Sequence, residues 1–304
     1  MTIEFTADRG DSELRLDRVL VRRAASVSRM SRTRAQGWID SGLVTVDDVP
    51  AARSSVRVRE GAAVVVTLPQ ATVLRETPRP EDAPVEVLYE DEDLLAINKP
   101  AGVVVHPSFR NASGTVLNRI LWRYRNTPEI RPGLVSRLDK DTSGILLVAL
   151  SPGVHARIQR DAASGRVVKE YVAVVRGTPR PGRDTIALPL AHDPADRRRI
   201  VVDPHGMPSL TKYDVMSCAD GYAAVTCELV TGRTHQIRVH MAARGWPVAG
   251  DVIYGQADDR IGRQALHAWR LRLPHPRRRT PLEVTAAPPA DMLAFTCLRD
   301  VIQG

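Results

Sequence analysis

The apolar positions at the start of the chain predict a small α+β unit over residues 13–69. Apolar residues recur at helical spacing over residues 15–25, and a second helix is predicted over residues 31–41, between Ser31 as N-cap and Gly42 as stop. Strand and turn patterns follow at residues 43–46, 47–48 and 56–66. This order of elements predicts two helices followed by a short sheet.

A second region begins after residues 70–84, which are rich in proline and charge and are predicted to be a linker. Strand patterns dominate the large domain that follows, residues 85–304. The predicted strands are 85–89, 94–97, 145–150, 171–176 and 222–229, and the predicted helices are 114–125, 152–163 and 234–243. Since strands and helices do not alternate regularly, the pattern favours an α+β domain with a mixed, mostly antiparallel sheet.

The net charge of the chain bears on the kind of molecule that it binds. It has 304 residues, with 43 Lys and Arg against 35 Asp and Glu, which leaves a net charge of +8. This basic balance indicates a polyanionic partner, although solubility alone is the simpler explanation. The predicted N-terminal helices carry Arg15, Arg32 and Arg34, while Asp17 and Asp40 offer little pairing nearby. We therefore predict a phosphate-binding face there, the alternative being a solvated helix surface.

The three cysteines, Cys218, Cys227 and Cys297, lie far apart without metal-ligand spacing. They are typical of reduced thiols in a cytoplasmic protein. The N-terminus lacks the pattern of a signal peptide, and no apolar run approaches the roughly 20 residues of a membrane span. We therefore expect a cytoplasmic protein with no membrane attachment and no bound metal.

Only four of the basic residues are lysine: Lys99, Lys140, Lys169 and Lys212. An ammonium and a planar guanidinium differ in geometry and hydration. A chain that otherwise uses arginine therefore indicates that these four positions require lysine. Chance retention is the alternative, above all for Lys212.

The polar loop at residues 136–144 precedes a strongly apolar strand pattern and contains Asp139 and Asp141. Two basic residues lie close by, and neighbouring cations favour an ionised carboxylate, which suits a nucleophile or a base. By itself the loop fits an aspartate-rich turn equally well. A phosphatase loop of the haloacid-dehalogenase type also matches the Asp-x-Asp-x-Thr spacing, but it needs a strand before the aspartates, and residues 131–136 make a poor one.

Five ordered segments of the large domain resemble the RluA/RluD family of ribosomal large-subunit pseudouridine synthases. They are the loop SRLDKDTSG (136–144), VLYEDEDLLAINKPAGVVVHPS (87–108), KEYVAVVRG (169–177), VTGRTHQIRVHMAARGWPVAGDVIYG (230–255) and QALHAWRLRLPHP (264–276). Residues 15–51 resemble the small RNA-binding domain named after a ribosomal small-subunit protein, the αL-motif type. The loop differs from the family's usual sequence at one position, where the family has His and this chain has Ser136. The resemblance therefore does not imply a contact of this position with RNA.

The resemblance implies the pseudouridine synthase fold and the isomerisation of specific uridines in RNA, with no cofactor. It implies that Asp139 is the catalytic carboxylate, which attacks the sugar, adds to the ring or abstracts a sugar proton. Tyr171 would stack on the extruded base and could assist its deprotonation, and Arg238 would pair with Asp139. Thr234 can cap the helix that carries Arg238, and with the pairing that the resemblance implies, a two-bond hold of Arg238 on Asp139 is geometrically reasonable. The alternative for Tyr171 is an ordinary aromatic residue in a strand. The alternative for Arg238 is an arginine that binds phosphate or forms a surface ion pair.

The same resemblance implies that Arg137 contacts displaced RNA and that Arg233, His235 and Lys169 line the RNA path. The expected partner is large-subunit ribosomal RNA or its precursor particle, with transfer RNA left open, and we expect a monomer. A non-catalytic RNA-binding or ribosome-assembly protein on the same fold is the alternative. That alternative predicts the loss of Asp139, Tyr171 or Arg238, and all three are present.

Overall fold

The chain divides into two compact units, Met1–Thr77 and Pro78–Gly304. The computed structural model describes residues 2–23, 32–67, 78–107, 111–196 and 198–303. The predicted N-cap Ser31, the end of the predicted first helix and most of the predicted linker lie outside these ranges. None of the described helices combines the length and the apolar content needed to traverse a bilayer.

The described residues of the first unit form two helices and a four-stranded sheet in the order β1-β4-β2-β3. Its elements are β1 (Thr2–Thr6), α1 (Leu16–Arg23), α2 (Arg32–Asp40), β2 (Val44–Val46), β3 (Val49–Pro50) and β4 (Ala63–Thr67). Leu16, Val19 and Leu20 of α1 are fully buried and pack with Trp38 and Val64 in one cluster. The helical spacing of the apolar residues therefore marks the face that forms this core.

Two features of the first unit differ from the sequence prediction. Residues 56–66 do not form one strand, because Gly61 lies at φ +83 and turns the chain before β4. Strand β1, which precedes the predicted unit, pairs antiparallel with β4. The predicted turn at Asp47 and Asp48 is confirmed, and both residues adopt positive φ, as a tight hairpin between β2 and β3 requires.

The second unit is built on a ten-stranded, mostly antiparallel sheet. Its strands are β5 (Glu86–Glu90), β6 (Leu94–Lys99), β7 (Gly133–Leu134), β8 (Ser143–Ala149), β9 (Val168–Arg176), β10 (Arg183–Ala187), β11 (Leu190–His192), β12 (Ile200–Val202), β13 (Leu210–Ala219), β14 (Tyr222–Leu229), β15 (Leu266–Pro274) and β16 (Pro281–Thr285). Its helices are α3 (Val116–Arg123), α4 (Pro152–Ala163), α5 (Gln236–Ala243) and α6 (Thr296–Gln303), with a 3₁₀ turn at Met292–Ala294.

The order of strands along the main path is β10-β13-β14-β9-β15-β8-β6-β5, with β16 paired to β15 and β7 to β8, while β11 and β12 form a separate hairpin. All described pairs are antiparallel except β15 with β8. The expected α+β fold with a mixed, mostly antiparallel sheet is therefore confirmed. Helix α4 matches its prediction at both ends, and α3 and α5 lie within theirs.

The strand that follows the Asp139 loop is buried on both faces. All seven residues of β8 are buried. Leu146 packs with α3 on one face of the sheet, and Ile145 and Leu147 pack in the larger core on the other face. Since side chains alternate along a strand, this two-sided burial explains why the sequence here is continuously apolar.

The parallel contact between β8 and β15 depends on a glycine. Gly144 lies opposite Ala268 at φ +107, and a Cβ at this position would lie 2.3 Å from the carbonyl oxygen of Ala268. Residues other than glycine are disfavoured at such a φ, and their Cβ would clash with the backbone of Ala268. This glycine therefore lets the start of β8 approach β15 closely.

We expect Gly144→Ala to destabilise the protein by at least about 2 kcal/mol, because it combines backbone strain with a clash. Gly153→Ala is the matched control, since Gly153 lies in α4 with open space around it, and it should leave stability unchanged or raise it slightly. Urea unfolding followed by circular dichroism measures both. Equal stability of the two variants would contradict the close packing at Gly144.

Candidate active site

Asp139 lies in the loop between β7 and β8, at the edge of a cavity of about 180 Å³. Its side chain is 23% exposed, and its backbone carbonyl accepts a hydrogen bond from the N–H of Thr142 at 3.2 Å, which closes a turn. The neighbouring Leu138 packs into the core and anchors the loop from inside. The cavity is lined by residues 139–141 and 251–253, together with His235, Arg238 and Gln264.

Two cations hold the backbone of this loop. Lys99 is fully buried, and its Nζ donates to three backbone carbonyls, among them that of Lys140 at 2.9 Å. Burial lowers the pKa of Lys99 to about 8. On the other side, Arg263 donates from Nη1 to the carbonyl of Asp141 at 3.1 Å. A compact ammonium with three donors suits this convergent set of carbonyls, whereas a planar guanidinium does not.

Arg238 stands between two carboxylates. Its Nη1 donates to Oδ2 of Asp139 at 3.0 Å, while its Nε and Nη2 donate to the two oxygens of Asp251 at 2.6 and 2.8 Å. The predicted contact between Arg238 and Asp139 is present, but the two-bond hold is on Asp251, so that part of the prediction is wrong. Burial opposes the charge of Arg238, yet the bonds to Asp251 and Asp139 raise its pKa above the ordinary value.

Helix α5 begins at Gln236, and its N-cap is His235 rather than the predicted Thr234. His235 adopts a left-handed backbone with φ 55, which costs about 1–2 kcal/mol for a residue with a Cβ. The Gln236 side chain binds the loop before the helix, because its Oε1 accepts from the backbone N–H of Arg233 at 3.0 Å and from the hydroxyl of Thr231 at 2.9 Å. The preceding loop is therefore held by a side chain within the helix.

The imidazole of His235 lies between Asp139 and Tyr254. Its Nε2 is 3.8 Å from Oδ2 of Asp139, and its Nδ1 is 2.8 Å from the hydroxyl of Tyr254. The ring of Tyr254 also lies 5.1 Å from the guanidinium of Arg238. Burial lowers the pKa of His235, Arg238 adds to that effect, and Asp139 opposes it. A neutral imidazole therefore faces the carboxylate at neutral pH.

Tyr171 lies on β9, opposite Ala268 of β15, and is 8% exposed. Burial, and after it the negative charge of Asp139, raise the pKa of Tyr171 well above its ordinary value. The phenol therefore keeps its proton at neutral pH. Tyr171 lines a narrow depression together with Ser136 and Lys169, and the three side chains come from the Asp139 loop and from β9.

The sequence matches the family model of RNA pseudouridylate synthase over residues 93–243. It is also 37% identical over 296 residues to the RNA pseudouridine synthase YlyB of Bacillus subtilis, and the match covers 95% of each chain. The chain belongs to the RNA pseudouridine synthase family. It is therefore an RNA uridine isomerase.

Two further relatives extend this result. The ribosomal large subunit pseudouridine synthase D of Nitrosomonas europaea is 37% identical over 305 residues, which cover 97% of this chain and 87% of that protein. The solved structure of human RNA pseudouridylate synthase domain containing 1 superposes with a TM-score of 0.57 at 30% identity, over 70% of this chain and 87% of the human one. The pseudouridine synthase fold expected from the sequence is thereby confirmed.

The sequence predicts that Arg137, Arg233 and Lys169 contact RNA. Arg137 is exposed in the Asp139 loop. Arg233 is exposed before α5, and its Nε donates to the carbonyl of Pro208 at 3.4 Å. Burial lowers the pKa of Lys169, which stands two residues before Tyr171 on the same face of β9. Their contacts with RNA stay a prediction.

The arginines of the first unit are more strongly paired than the sequence suggested. Asp17 is fully buried and accepts from Arg15 Nε at 3.1 Å, Arg32 Nη2 at 3.1 Å and Gln36 Nε2 at 3.0 Å. Although burial alone would raise it, these hydrogen bonds bring the pKa of Asp17 down to about 2. The prediction that Asp17 offers little pairing is therefore wrong. Arg34 lies 5.3 Å from the ring centre of Trp38.

Asp251 and Tyr254 complete the site, and the sequence analysis gave neither a role. Both lie in the segment GDVIYG, after a loop that separates them from Arg238 by 13 and 16 positions. An acid and a tyrosine at that distance carry no periodic signal. Gly250 marks the place, because it has φ +73 and a Cβ there would lie 2.2 Å from the carbonyl oxygen of Arg263. A required glycine next to an acid is the signal that could have drawn attention to Asp251.

We expect Asp251→Asn to destabilise the protein by about 3 kcal/mol and to reduce turnover, because it leaves the buried guanidinium of Arg238 without its main partner. Asp184→Asn is the control, since it breaks an exposed pair with Arg244 and should change stability by less than about 1 kcal/mol. Chemical unfolding and single-turnover assays measure both effects. Wild-type stability and turnover in Asp251→Asn would contradict this assignment.

Proposed function

We propose that this pseudouridine synthase isomerises specific uridines in large-subunit ribosomal RNA, free or in a precursor particle, with Asp139 as its catalytic residue. The observation that carries the catalytic assignment is the contact of Asp139 Oδ2 with Arg238 Nη1 at 3.0 Å, at the edge of a cavity. The relatives named ribosomal large subunit pseudouridine synthase D support the choice of RNA. We expect the enzyme to act as a monomer in the cytoplasm.

The carboxylate of Asp139 is arranged so that one oxygen is occupied and the other is available. Arg238 and His235 both approach Oδ2. Among the described residues, no side chain or backbone donor bonds to Oδ1. The available oxygen can attack the sugar, add to the uracil ring or abstract a sugar proton, and each route needs a carboxylate held in a fixed orientation. Arg238 supplies that orientation.

Tyr171 is placed to receive the uracil once it has left the RNA stack. A base must leave its helix to be reached, at a cost of a few kcal/mol, and an aromatic face beside the reacting group offsets part of that cost. Since burial and Asp139 raise the pKa of Tyr171, we assign the side chain to stacking in its neutral form. Proton removal from the ring would then need another group or water.

Arginines, a lysine and a histidine provide the contacts with the RNA backbone in this proposal. Arg137 and Arg233 are exposed, His235 lines the cavity at Asp139, and Lys169 lines the depression at Tyr171. The first unit would add Arg15, Arg32 and Arg34. One Asp17 carboxylate serves both Arg15 and Arg32, which leaves a net positive charge that can bind phosphate.

Asp139→Asn should abolish isomerisation and leave RNA affinity within about threefold, because the amide keeps the shape but loses the nucleophilic or basic carboxylate. Asp259→Asn, at an exposed position away from the cavity, is the matched control and should retain full turnover. Carbodiimide mapping of ribosomal RNA from cells that carry each variant identifies the modified uridines. Retained modification with Asp139→Asn would sink the catalytic assignment, and unchanged ribosomal RNA without the wild-type gene would sink the substrate assignment.

Removal of residues 1–77 should weaken RNA binding and flatten its dependence on salt concentration. Each lost phosphate contact lowers the slope of log K against log salt by nearly one unit. Fluorescence anisotropy at several salt concentrations measures the slope for the full-length and truncated proteins. An equal slope would contradict a role of the first unit as an RNA anchor.

A further inference from the structure

The hydroxyl of Tyr254 makes two contacts that together fix the direction of its proton. It accepts a hydrogen bond from the backbone N–H of Ile200, in the β11–β12 hairpin, at 2.8 Å. Its second contact, also at 2.8 Å, is with Nδ1 of His235. Burial raises the pKa of Tyr254, so the hydroxyl keeps its proton. Among the described residues, His235 Nδ1 is the one acceptor that this proton can reach.

The two neutral forms of His235 differ in how well they satisfy this hydroxyl. If Tyr254 donates to Nδ1, both of its contacts are hydrogen bonds and the imidazole proton lies on Nε2. If instead Nδ1 carries the proton, the Tyr254 hydroxyl accepts twice and its own proton has no partner in this half-buried place. An unsatisfied donor costs free energy, so the geometry favours the form with the proton on Nε2.

The strained backbone of His235 also directs the ring to this position. A non-glycine residue at φ 55 persists where the surroundings over-determine it, often at functional sites. Here the Gln236 side chain fixes the loop on one side, and Tyr254 holds Nδ1 on the other. As a result, Nε2 points to Oδ2 of Asp139 at 3.8 Å, which a small rotation can shorten to a hydrogen bond.

We propose that Tyr254 is a positioning residue that holds His235 as an Nε2–H donor facing the catalytic carboxylate. Oδ2 of Asp139 then faces two donors, Arg238 Nη1 at 3.0 Å and His235 Nε2 at 3.8 Å, and Oδ1 is left for the substrate. This role rests on the proposed function of Asp139. It gives His235 a task at the carboxylate in addition to the RNA path, and it links the β11–β12 hairpin, through the N–H of Ile200, to the orientation of Asp139.

The charged surroundings of His235 are compatible with this neutral form. Arg238 and His192 disfavour a cation at His235, whereas Asp139 and Asp251 favour one. The N-terminal end of α5, which begins at the next residue, also disfavours a positive charge. Because the His235 imidazole is neutral, it carries one ring proton. Asp139 faces an N–H donor if this proton is on Nε2 and a lone pair if it is on Nδ1.

Nitrogen NMR of the imidazole rings tests the proposal directly on the full-length protein. In protein labelled with ¹⁵N-histidine, the signal that disappears in His235→Gln identifies the ring. We expect wild-type His235 to show a protonated Nε2 and a bare Nδ1 at neutral pH. A protonated Nδ1, or protons on both nitrogens, would overturn the proposal whatever the activity of the enzyme.

Tyr254→Phe removes the hydroxyl and keeps the ring beneath Arg238. We expect His235 to populate both neutral forms in this variant and kcat to fall about tenfold, with KM for RNA little changed, because one hydrogen bond that orients the site is lost. Tyr222→Phe is the control, since the Tyr222 hydroxyl bonds to Asp258 away from the cavity, and both readouts should stay at wild-type values. A change in only one readout of Tyr254→Phe would refute the coupling.

A pair of His235 variants covers the case in which Tyr254→Phe does not fold. The amide nitrogen of His235→Gln reaches the position of Nε2, whereas that of His235→Asn does not. We therefore expect the glutamine variant to keep a higher kcat, and the reverse order would overturn the proposal. Failure of the proposed function is distinguishable, because retained turnover in Asp139→Asn leaves the NMR result on His235 untouched.

Discussion

The site depends on one buried guanidinium that must have a partner. Arg238 is 3% exposed, and a charge taken out of water at that depth is stable only with carboxylates around it. Asp251 supplies two hydrogen bonds and Asp139 a third. Because Asp251 accepts two of the hydrogen bonds that Arg238 donates, only one oxygen of Asp139 is bonded to Arg238 and the other stays available. A fork-to-fork pair between Arg238 and Asp139 alone would have occupied both oxygens of the proposed catalytic group.

The second constraint is the backbone on which Asp139 stands. Lys99 and Arg263 bind carbonyls of consecutive loop residues, Lys140 and Asp141. The close contact of Gly144 with Ala268 fixes the point where the loop enters the sheet. The active loop is therefore irregular in conformation but held by buried donors and by backbone packing, which is how a loop can carry a group that needs a fixed orientation.

The sequence predicted local features well and long-range pairings poorly. Helix α4 matches its prediction at both ends, strand β8 follows from its continuous apolar run, and the loop at Asp139 follows from its polar residues and its motif. Asp251 escaped prediction, because its importance arises from contact with Arg238 across a loop. The charges in the sequence also did not predict the ion pair of Arg15, because its partner Asp17 is buried in the core. Spacing along a chain reports on faces of helices and strands, whereas the partners of buried charges are set by the tertiary fold.

In the proposed mechanism, Arg238 is held by Asp251 and leaves one oxygen of Asp139 facing the extruded uridine. The most direct measurement is a crystal structure of the enzyme with RNA that carries a slowly reacting 5-fluorouridine at the target position. The account predicts the base against Tyr171, Oδ1 of Asp139 within about 3.5 Å of a reacting carbon, and Arg238 still bound to Oδ2 and to Asp251. An Arg238 that leaves Asp139 to bind a phosphate of the RNA, or a target uridine that contacts neither Tyr171 nor Asp139, would contradict it.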